Sequence, residues 1–191
     1  MQQDATPKAR TRYTRLAMTL HWLMAIMIVV AFAMGVYMVD LPFDDTRAWF
    51  FRHHKNIGLT VGLLLLLRVW WRIRHPAPPL PPETPDWEKR AAKISHRLLY
   101  IMMAVMPISG FFTTSFTGYP TYYLGIPVDL GKWGGENELA NDIFAFIHIG
   151  SAYFLAFLVV MHAAAALRHL IIKRDTVFQR MVPDRAERRS E

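Results

Sequence analysis

The sequence predicts an all-α membrane protein, a bundle of four transmembrane helices with both termini in the cytoplasm. The 191-residue chain is 53% hydrophobic and only 19% charged, with a mean hydropathy of +0.16. Its apolar residues are gathered into long runs, and the first of these, Leu16–Val39, contains no charged residue. A helix needs about 20 apolar residues to cross a bilayer core of about 30 Å. Four core helices of a soluble bundle are the alternative, but such helices rarely continue that far without a charge.

Four helices are expected over about 16–39, 54–73, 98–117 and 143–167, within a single membrane domain that covers residues 1–191. The second apolar run is the shortest and reaches spanning length only when Arg68, Trp70 and Trp71 are included. Arginine and tryptophan side chains are common at the membrane interface, so this extension is compatible with a span.

The first run also resembles a secretory signal peptide, because Arg10, Arg12 and Arg15 precede it and residues 31–33 have the Ala-x-Ala pattern of a cleavage site. The hydrophobic region of a signal peptide normally covers only about 7–15 residues. This run continues to Val39, so we expect it to be retained as the first span.

The connections between the helices differ in composition. Residues 75–85 contain six of the twelve prolines, which predicts an extended, stiff loop. Residues 118–141 are rich in glycine and carry the aromatic residues Tyr122, Tyr123 and Trp133. We expect this second segment to cap one end of the bundle, the alternative being a solvated loop.

Loop charges predict which side of the membrane each end of the bundle faces. The N-terminal tail, residues 68–97 and the tail from residue 168 together hold 18 basic and 8 acidic residues, whereas the other loops hold 4 basic and 7 acidic ones. Positively charged loops remain in the cytoplasm. We therefore expect cytoplasmic termini and the 118–141 loop in the periplasm. The expected partner of this chain, whose net charge is +7, is the lipid bilayer, and no nucleic-acid partner is expected.

The chain has no cysteine and eight histidines. Thiolate metal sites, iron–sulfur clusters, cysteine nucleophiles and covalently attached c-type haem are therefore excluded. A metal would have to be held by histidine or carboxylate. Four histidines, His21, His54, His148 and His162, fall in or beside the expected spans, where ionisable residues usually face the bundle interior and have a function.

Helix direction and register assign these four histidines to two pairs. His148 and His162 are 14 residues apart, close to four helical turns, so they share one face of the fourth helix about 21 Å apart. His21 belongs to the cytoplasmic side and His54 to the periplasmic side, which pairs His21 with His162 and His54 with His148. Two imidazoles opposed across a bundle interior can ligate a b-type haem. The sequence thus predicts two noncovalent haems b, with these four histidines as metal ligands.

Residues near the histidines are compatible with bound macrocycles. On the first helix, Gly35 is expected to leave a gap where the periplasmic macrocycle lies. On the second, His54, Gly58 and Gly62 follow at i, i+4 and i+8, and are expected to clear a flat stripe. Arg68, at the cytoplasmic end of the same helix, is expected to pair with haem propionates.

Each of these features also has a simpler explanation. A single intramembrane histidine can form a helix–helix hydrogen bond, and glycine stripes occur where helices pack closely. Arg68 can extend to the lipid headgroups. His53 is the alternative ligand to His54, and only the glycine register favours the latter. His96 is expected at the interface, with a propionate or quinone as the alternative contact, and His169 either lines a quinone site or meets the headgroups.

Several segments resemble bacterial cytochrome b561. They are Leu20-His21-Trp22, His54-x-x-x-Gly58, Arg68-x-x-x-Arg72 before the proline-rich loop, Ser95-His96-x-x-x-Tyr100, the pair His148 and His162, and the stretch from His162 to His169. The resemblance extends from Arg12 to Met181 and is weakest over residues 118–141. It implies a four-helix inner-membrane protein with two bis-histidine haems b that exchanges electrons with quinone, ubiquinone being the expected acceptor. Some members resemble superoxide:ubiquinone oxidoreductases.

The sequence therefore predicts a membrane electron-transfer protein that links the periplasmic face to the quinone pool, with superoxide or a redox protein as the donor. Arg47, Arg52 and Lys55 lie near His54 and would give the periplasmic site a positive mouth that attracts an anion. One alternative is the cytochrome b anchor subunit of a larger hydrogenase- or dehydrogenase-type complex. Another is a proton or ion transporter that uses the histidines as a relay.

Overall fold

The structure, a computed structural model, describes residues 11–117, 121–128 and 135–183. These residues form four long helices, α1 (Arg15–Met38), α2 (Asp45–Arg74), α3 (Asp86–Ser115) and α4 (Glu138–Arg168). Each helix is long and apolar enough to cross a membrane. The protein is therefore the all-α, four-helix membrane bundle that the sequence predicts.

Three helices begin earlier than predicted, α2 at Asp45 rather than 54, α3 at Asp86 rather than 98, and α4 at Glu138 rather than 143. The prediction follows the uncharged runs, whereas helical hydrogen bonding continues through charged turns beyond the apolar part of each span. The side chains of Asp44 and Asn137 accept backbone N–H groups at the starts of α2 and α4, and so cap these extended turns.

Successive helices pack against one another in the bundle. The most extensive contacts join α3 to α4 and α1 to α2, and α2 also packs against α3. Met24 of α1 and Val61 and Leu65 of α2 form a buried cluster, against which Tyr100 and Met103 of α3 pack. This cluster lies along α1 and α2 between the two ends of the bundle, and it joins α1, α2 and α3 there.

Large apolar side chains cover the outside of the bundle. Ile26, Phe146 and Val160, for example, are exposed over 62%, 80% and 65% of their surface. Such a surface would be a liability in water, but hydrocarbon solvates it in a bilayer. The backbone polar groups of the spans are satisfied inside the helices, which a membrane requires.

The two ends of the bundle carry different segments. The terminal end carries residues 11–14, the proline-rich loop 75–85 and residues 169–183, and α1 and α3 begin there. The hairpin end carries residues 39–44 and 121–128, and α2 and α4 begin there. Residues 75–85 form the non-helical connection that their prolines predict.

The chain after α4 folds back across the terminal end. It forms a π-helical turn at His169–Lys173 and a 3₁₀ turn at Phe178–Met181. The Trp22 indole N–H donates to the Met181 carbonyl at 2.8 Å, and the Arg180 guanidinium donates to a carbonyl of the proline-rich loop. Tail, loop and α1 are thus tied together at this end.

A short β-hairpin covers part of the hairpin end. Its antiparallel strands are β1 (Tyr122–Tyr123) and β2 (Ile126–Pro127). Leu124 and the glycine after it adopt left-handed conformations that close the turn. The Tyr123 hydroxyl contacts the Thr60 hydroxyl at 3.1 Å, and the Leu124 N–H donates to the Asn56 side chain at 3.1 Å. The hairpin therefore packs against α2, as a cap requires; Trp133 lies outside the described residues.

Candidate metal centres at two histidine pairs

His54 of α2 and His148 of α4 face each other towards the hairpin end. Their ring centroids are 6.0 Å apart, and the ring planes make an angle of 84°. Both helices start at this end, and the two residues lie at similar distances from the starts at Asp45 and Glu138. The sequence-predicted partners therefore meet at one depth, and both side chains are half-buried.

A backbone carbonyl orients each of these two imidazoles. The Nδ1 of His54 lies 3.0 Å from the Ala31 carbonyl of α1, and the Nδ1 of His148 lies 3.0 Å from the Met106 carbonyl of α3. In a neutral imidazole the nitrogen that donates to a carbonyl carries the only ring proton, so Nε2 keeps a lone pair. Metal-binding histidines are commonly held in this way. Both rings are thus prepared to bind a metal through Nε2.

Two glycines make room for the same two rings. A Cβ at Gly110 would lie 2.8 Å from Cε1 of His148, and a Cβ at Gly35 would lie 3.2 Å from Cε1 of His54. The sequence predicts a gap at Gly35 where the periplasmic macrocycle lies, and in the structure this glycine lies against the His54 imidazole. The reason is that α1 packs directly on α2, which brings its backbone against that ring.

The expected glycine stripe on α2 is only partly open. A Cβ at Gly62 would lie 3.2 Å from the Pro107 side chain, so this glycine allows α2 and α3 to pack closely rather than clearing space for a ring. No neighbouring atom lies within 4 Å of the position that a Cβ at Gly58 would occupy. The simpler explanation of close helix packing is therefore correct for Gly62.

His21 of α1 and His162 of α4 form the second pair, towards the terminal end. Their ring centroids are 6.1 Å apart and the ring planes make an angle of 76°. The guanidinium of Arg68 donates to the Ala17 carbonyl at 3.1 Å and lies 3.4 Å from Nδ1 of His21. The structure thus places Arg68 beside this pair, as its position on α2 predicts.

His96 lies closer to this pair than the sequence predicts. Its ring centroid is 5.4 Å from that of His162, so three imidazoles meet near the terminal end. Because α3 begins at Asp86, His96 lies well inside this helix, and its ring faces the bundle.

The two separations fit a metal ion between the rings of each pair. A metal–imidazole nitrogen bond is about 2 Å long, and the ring centroid lies roughly 1 Å further on, so two imidazoles on opposite sides of one metal have centroids about 6 Å apart. Across residues 11–117, 121–128 and 135–183, no group of three or more histidine, aspartate or glutamate side chains is arranged so that it could hold one metal ion. Two protein ligands on opposite sides suit an iron whose other four ligands come from a porphyrin.

His53, the alternative ligand on α2, lies elsewhere. Its ring stacks on the Trp49 ring with centroids 4.0 Å apart, and its Nδ1 contacts the Trp49 carbonyl at 2.8 Å. His53 is therefore engaged one turn back along its own helix, whereas His54 faces His148.

The basic residues expected near His54 differ in their surroundings. Arg47 donates to the Leu41 carbonyl at 2.9 Å, and its guanidinium lies 4.0 Å from the centre of the Phe43 ring. Arg52 is exposed and Lys55 is half-buried. Arg47 is thus held by the 39–44 connection, and Arg52 and Lys55 remain as the candidates for a positive mouth.

His169, at the end of α4, belongs to a group of charged residues. Its Nδ1 donates a hydrogen bond to the Asp175 carboxylate at 2.6 Å. Nearby, the Glu88 carboxylate accepts hydrogen bonds from Arg168 and Lys173. Partial burial opposes ionisation of Asp175, but hydrogen bonds from His169 and a backbone N–H hold the pKa of that carboxyl below its usual value. These contacts tie the π-helical turn to the start of α3.

The carbonyl acceptors of His54 and His148, and the role of Gly110, have no counterpart in the sequence prediction. Every residue carries a carbonyl, so the sequence pattern cannot show which one meets a ring. A glycine in the middle of the third span was a usable signal for Gly110, because it marks a close approach of the backbone to a neighbour.

The sequence matches the family model described as prokaryotic cytochrome b561 over residues 12–184. The chain is 33% identical to "Cytochrome b561 homolog 2" of Escherichia coli over 178 residues, which cover 90% of this chain and 91% of the relative. It is 27% identical to "Cytochrome b561 homolog 1" of the same organism, over 91% of this chain and 98% of the relative. It is also 23% identical to "Probable superoxide oxidase CybB" of Yersinia pestis, over 90% and 96%.

Replacing Gly110 tests whether the position of the His148 ring matters for cofactor binding. In Gly110→Ala the new Cβ pushes this imidazole aside, so we expect haem content, measured by pyridine haemochrome, to fall towards half. Gly150→Ala, on α4 two residues after His148, is the matched control, because nothing lies within 4 Å of the position that its Cβ would occupy. Full haem content and an unchanged spectrum in Gly110→Ala would contradict this role.

Proposed function

The chain belongs to the prokaryotic cytochrome b561 family of membrane electron-transfer proteins, and we propose that it carries electrons through two bis-histidine haems b between the periplasmic face and the quinone pool. His54 and His148 hold one haem, and His21 and His162 hold the other. Family membership implies b-type haem. The count of two rests on the two histidine pairs.

The separations of 6.0 Å and 6.1 Å between paired rings carry this proposal. One imidazole of each pair comes from α4, where 14 residues place the two sites about 21 Å apart along the helix. On α1, the same interval separates His21 from Gly35, which faces the His54 ring. Two helices thus give the same spacing, and the sites are distinct.

Bound haem supplies one-electron redox chemistry at each site. The residues of the chain fix its position and its surroundings. At the hairpin end, the carbonyls of Ala31 and Met106 hold the Nδ1 protons of the ligands, which orients the rings and makes Nε2 a better donor to iron. Between the depths of the two sites, Met24, Val61 and Leu65 of α1 and α2 form a buried apolar cluster.

Arg68 has a different task at the terminal end. When His21 binds iron through Nε2, its Nδ1 carries the ring proton and no longer accepts from Arg68. The guanidinium then lacks one acceptor and is available to a haem propionate, whose carboxylate matches its planar donors. Arg68 therefore balances the charge of a propionate in an apolar setting.

Charge also sets the direction of the protein in the membrane. The terminal end carries most of the basic residues, so it faces the cytoplasm and the hairpin end faces the periplasm of a bacterial inner membrane. Electrons enter at His54 and His148 from a periplasmic donor and leave near His21 and His162, with ubiquinone as the acceptor.

Superoxide is the proposed periplasmic donor, supported by the low-identity likeness to a probable superoxide oxidase and by Arg52 and Lys55 beside His54. Although the periplasmic loops are net negative, the Debye length is about 8 Å at physiological salt, so nearby cations dominate the field at the entry point. A docked redox protein is the alternative donor. With a redox protein as donor, the chain would be the anchor subunit of a larger complex, and copurification of a large periplasmic subunit would favour this alternative.

Replacing single ligands tests the pairing. His54→Ala or His148→Ala removes one ligand of the hairpin-end site and should leave about half of the haem, as measured by pyridine haemochrome and a reduced-minus-oxidised spectrum. His21→Ala or His162→Ala should remove the other half. His53→Ala is the control and should keep both haems. If His53→Ala lost a haem while His54→Ala kept two six-coordinate haems, the pairing would be wrong.

Replacing Arg68 tests its electrostatic task. A nearby cation favours the more electron-rich, reduced state, so Arg68→Gln should lower the reduction potential of the terminal-end haem in a redox titration. Arg68→Lys should lower it less, because the charge remains while the planar fork is lost. Arg74→Gln, whose guanidinium lies over the Trp70 ring at the same end, is the control. Unchanged potentials in Arg68→Gln would leave Arg68 as an interfacial anchor.

Stopped-flow reduction by superoxide tests the donor. Reduction of the oxidised protein should be fast, should slow as salt is added, and should slow further in Arg52→Gln/Lys55→Gln, because steering by these cations is lost. Arg74→Gln/Arg174→Gln removes the same charge from the opposite end and should have no such effect. Haems that stay oxidised under superoxide but are reduced by quinol or a protein donor would exclude superoxide.

A further inference from the structure

The basic side chains of the terminal end are not all engaged within the protein. Arg168 and Lys173 pair with Glu88, and Arg180 donates to a loop carbonyl. By contrast, three residues of α3, Arg90, Lys93 and Arg97, make no hydrogen bond or ion pair with any residue of the described part of the chain, and all three are exposed. We refer to Arg90, Lys93 and Arg97 as the α3 basic stripe.

The α3 basic stripe lies on one face of its helix. At 100° per residue, Lys93 and Arg97 lie within about 60° of Arg90 around the helix axis. The stripe extends about 10 Å along α3. Its three charges therefore point the same way, and they repel one another unless an anion lies among them.

The same face continues as an apolar surface into the membrane span. Ile101 and Ile108 follow Arg97 in register and are exposed over 52% and 55% of their surface. On the other side of the stripe, Trp87 is exposed over 60%. Cations followed by exposed isoleucines match the headgroup and hydrocarbon layers of one leaflet of a bilayer.

From this arrangement we infer that the α3 basic stripe binds the headgroup phosphate of an anionic phospholipid, whose acyl chains lie along Ile101 and Ile108. The polar layer between water and hydrocarbon is about 5–8 Å thick, so Arg97 and Lys93 lie at its depth when Ile101 lies in hydrocarbon. Unpaired Lys and Arg side chains at that depth attract anionic lipids. The inference rests only on the chain spanning a membrane and not on the proposed electron transfer.

A soluble protein partner fits this face less well. The exposed face runs from Trp87 to Ile108, about 30 Å along the helix, and its isoleucine half lies in the part of α3 that crosses the bilayer. Only a molecule that spans headgroup and hydrocarbon layers covers both halves, and a phospholipid does so. Anionic charge complements the three cations, so phosphatidylglycerol is preferred over zwitterionic phosphatidylethanolamine.

The test compares two triple variants of the full-length holoprotein. Arg90→Gln/Lys93→Gln/Arg97→Gln removes the stripe, and Arg74→Gln/Lys89→Gln/Arg174→Gln removes the same charge elsewhere at the terminal end. Both are placed in nanodiscs of phosphatidylethanolamine with and without phosphatidylglycerol, and retained lipids are counted by native mass spectrometry. An unchanged haem spectrum shows that each variant is folded.

We expect the stripe variant alone to lose its preference for retained phosphatidylglycerol, by about tenfold or more given three cations near the surface. An equal loss in both variants would overturn the inference, because general attraction to positive charge would then account for the lipid. Undiminished phosphatidylglycerol retention in the stripe variant would also overturn it. If the stripe variant instead lost a copurifying protein and kept its lipid, the face would be a protein interface.

Discussion

The distance between two imidazoles across the bundle interior is the constraint on which the rest of this structure depends. Rings that share one metal must have centroids about 6 Å apart and must both present a nitrogen lone pair inwards. Backbones of neighbouring helices in a membrane can approach closely only where side chains are small. Gly35 and Gly110 meet that requirement, since each lies against one ring of the hairpin-end pair. The two glycines that allow the helices to approach closely therefore also determine where these imidazoles lie.

The periodicity of a helix explains why the pairing could be predicted from the sequence. A separation of 14 residues returns to nearly the same face of α4, so His148 and His162 must both face inwards if either does. The alternation of helix directions then leaves one arrangement of partners, and the structure brings those partners together. The four spans are predictable for a related reason, because bilayer thickness sets their length.

The features that could not be predicted depend on contacts between helices. The apolar pattern ends where hydrocarbon ends, so it does not show that α3 continues back to Asp86 or that His96 turns towards His162. The 14-residue interval gives the depth of Gly35 but not its neighbour at that depth, which is the His54 ring. Which carbonyl accepts from which ring depends on rotation of each helix about its axis, and no single-sequence pattern reports that rotation.

The two sites differ in what surrounds their ligands, and this difference orders them under the proposed function. At the hairpin end, His54 and His148 both contact backbone carbonyls through Nδ1, which would increase the electron density that the imidazoles offer to a bound iron and favour its oxidised state. At the terminal end, the positive charge of Arg68 lies beside the histidine pair and would favour the reduced state of a haem held there. Electrons would therefore collect at the terminal end. The proposed periplasmic donor and cytoplasmic-side quinone acceptor require transfer in that direction, so the different surroundings of the two histidine pairs agree with the proposed order of electron transfer.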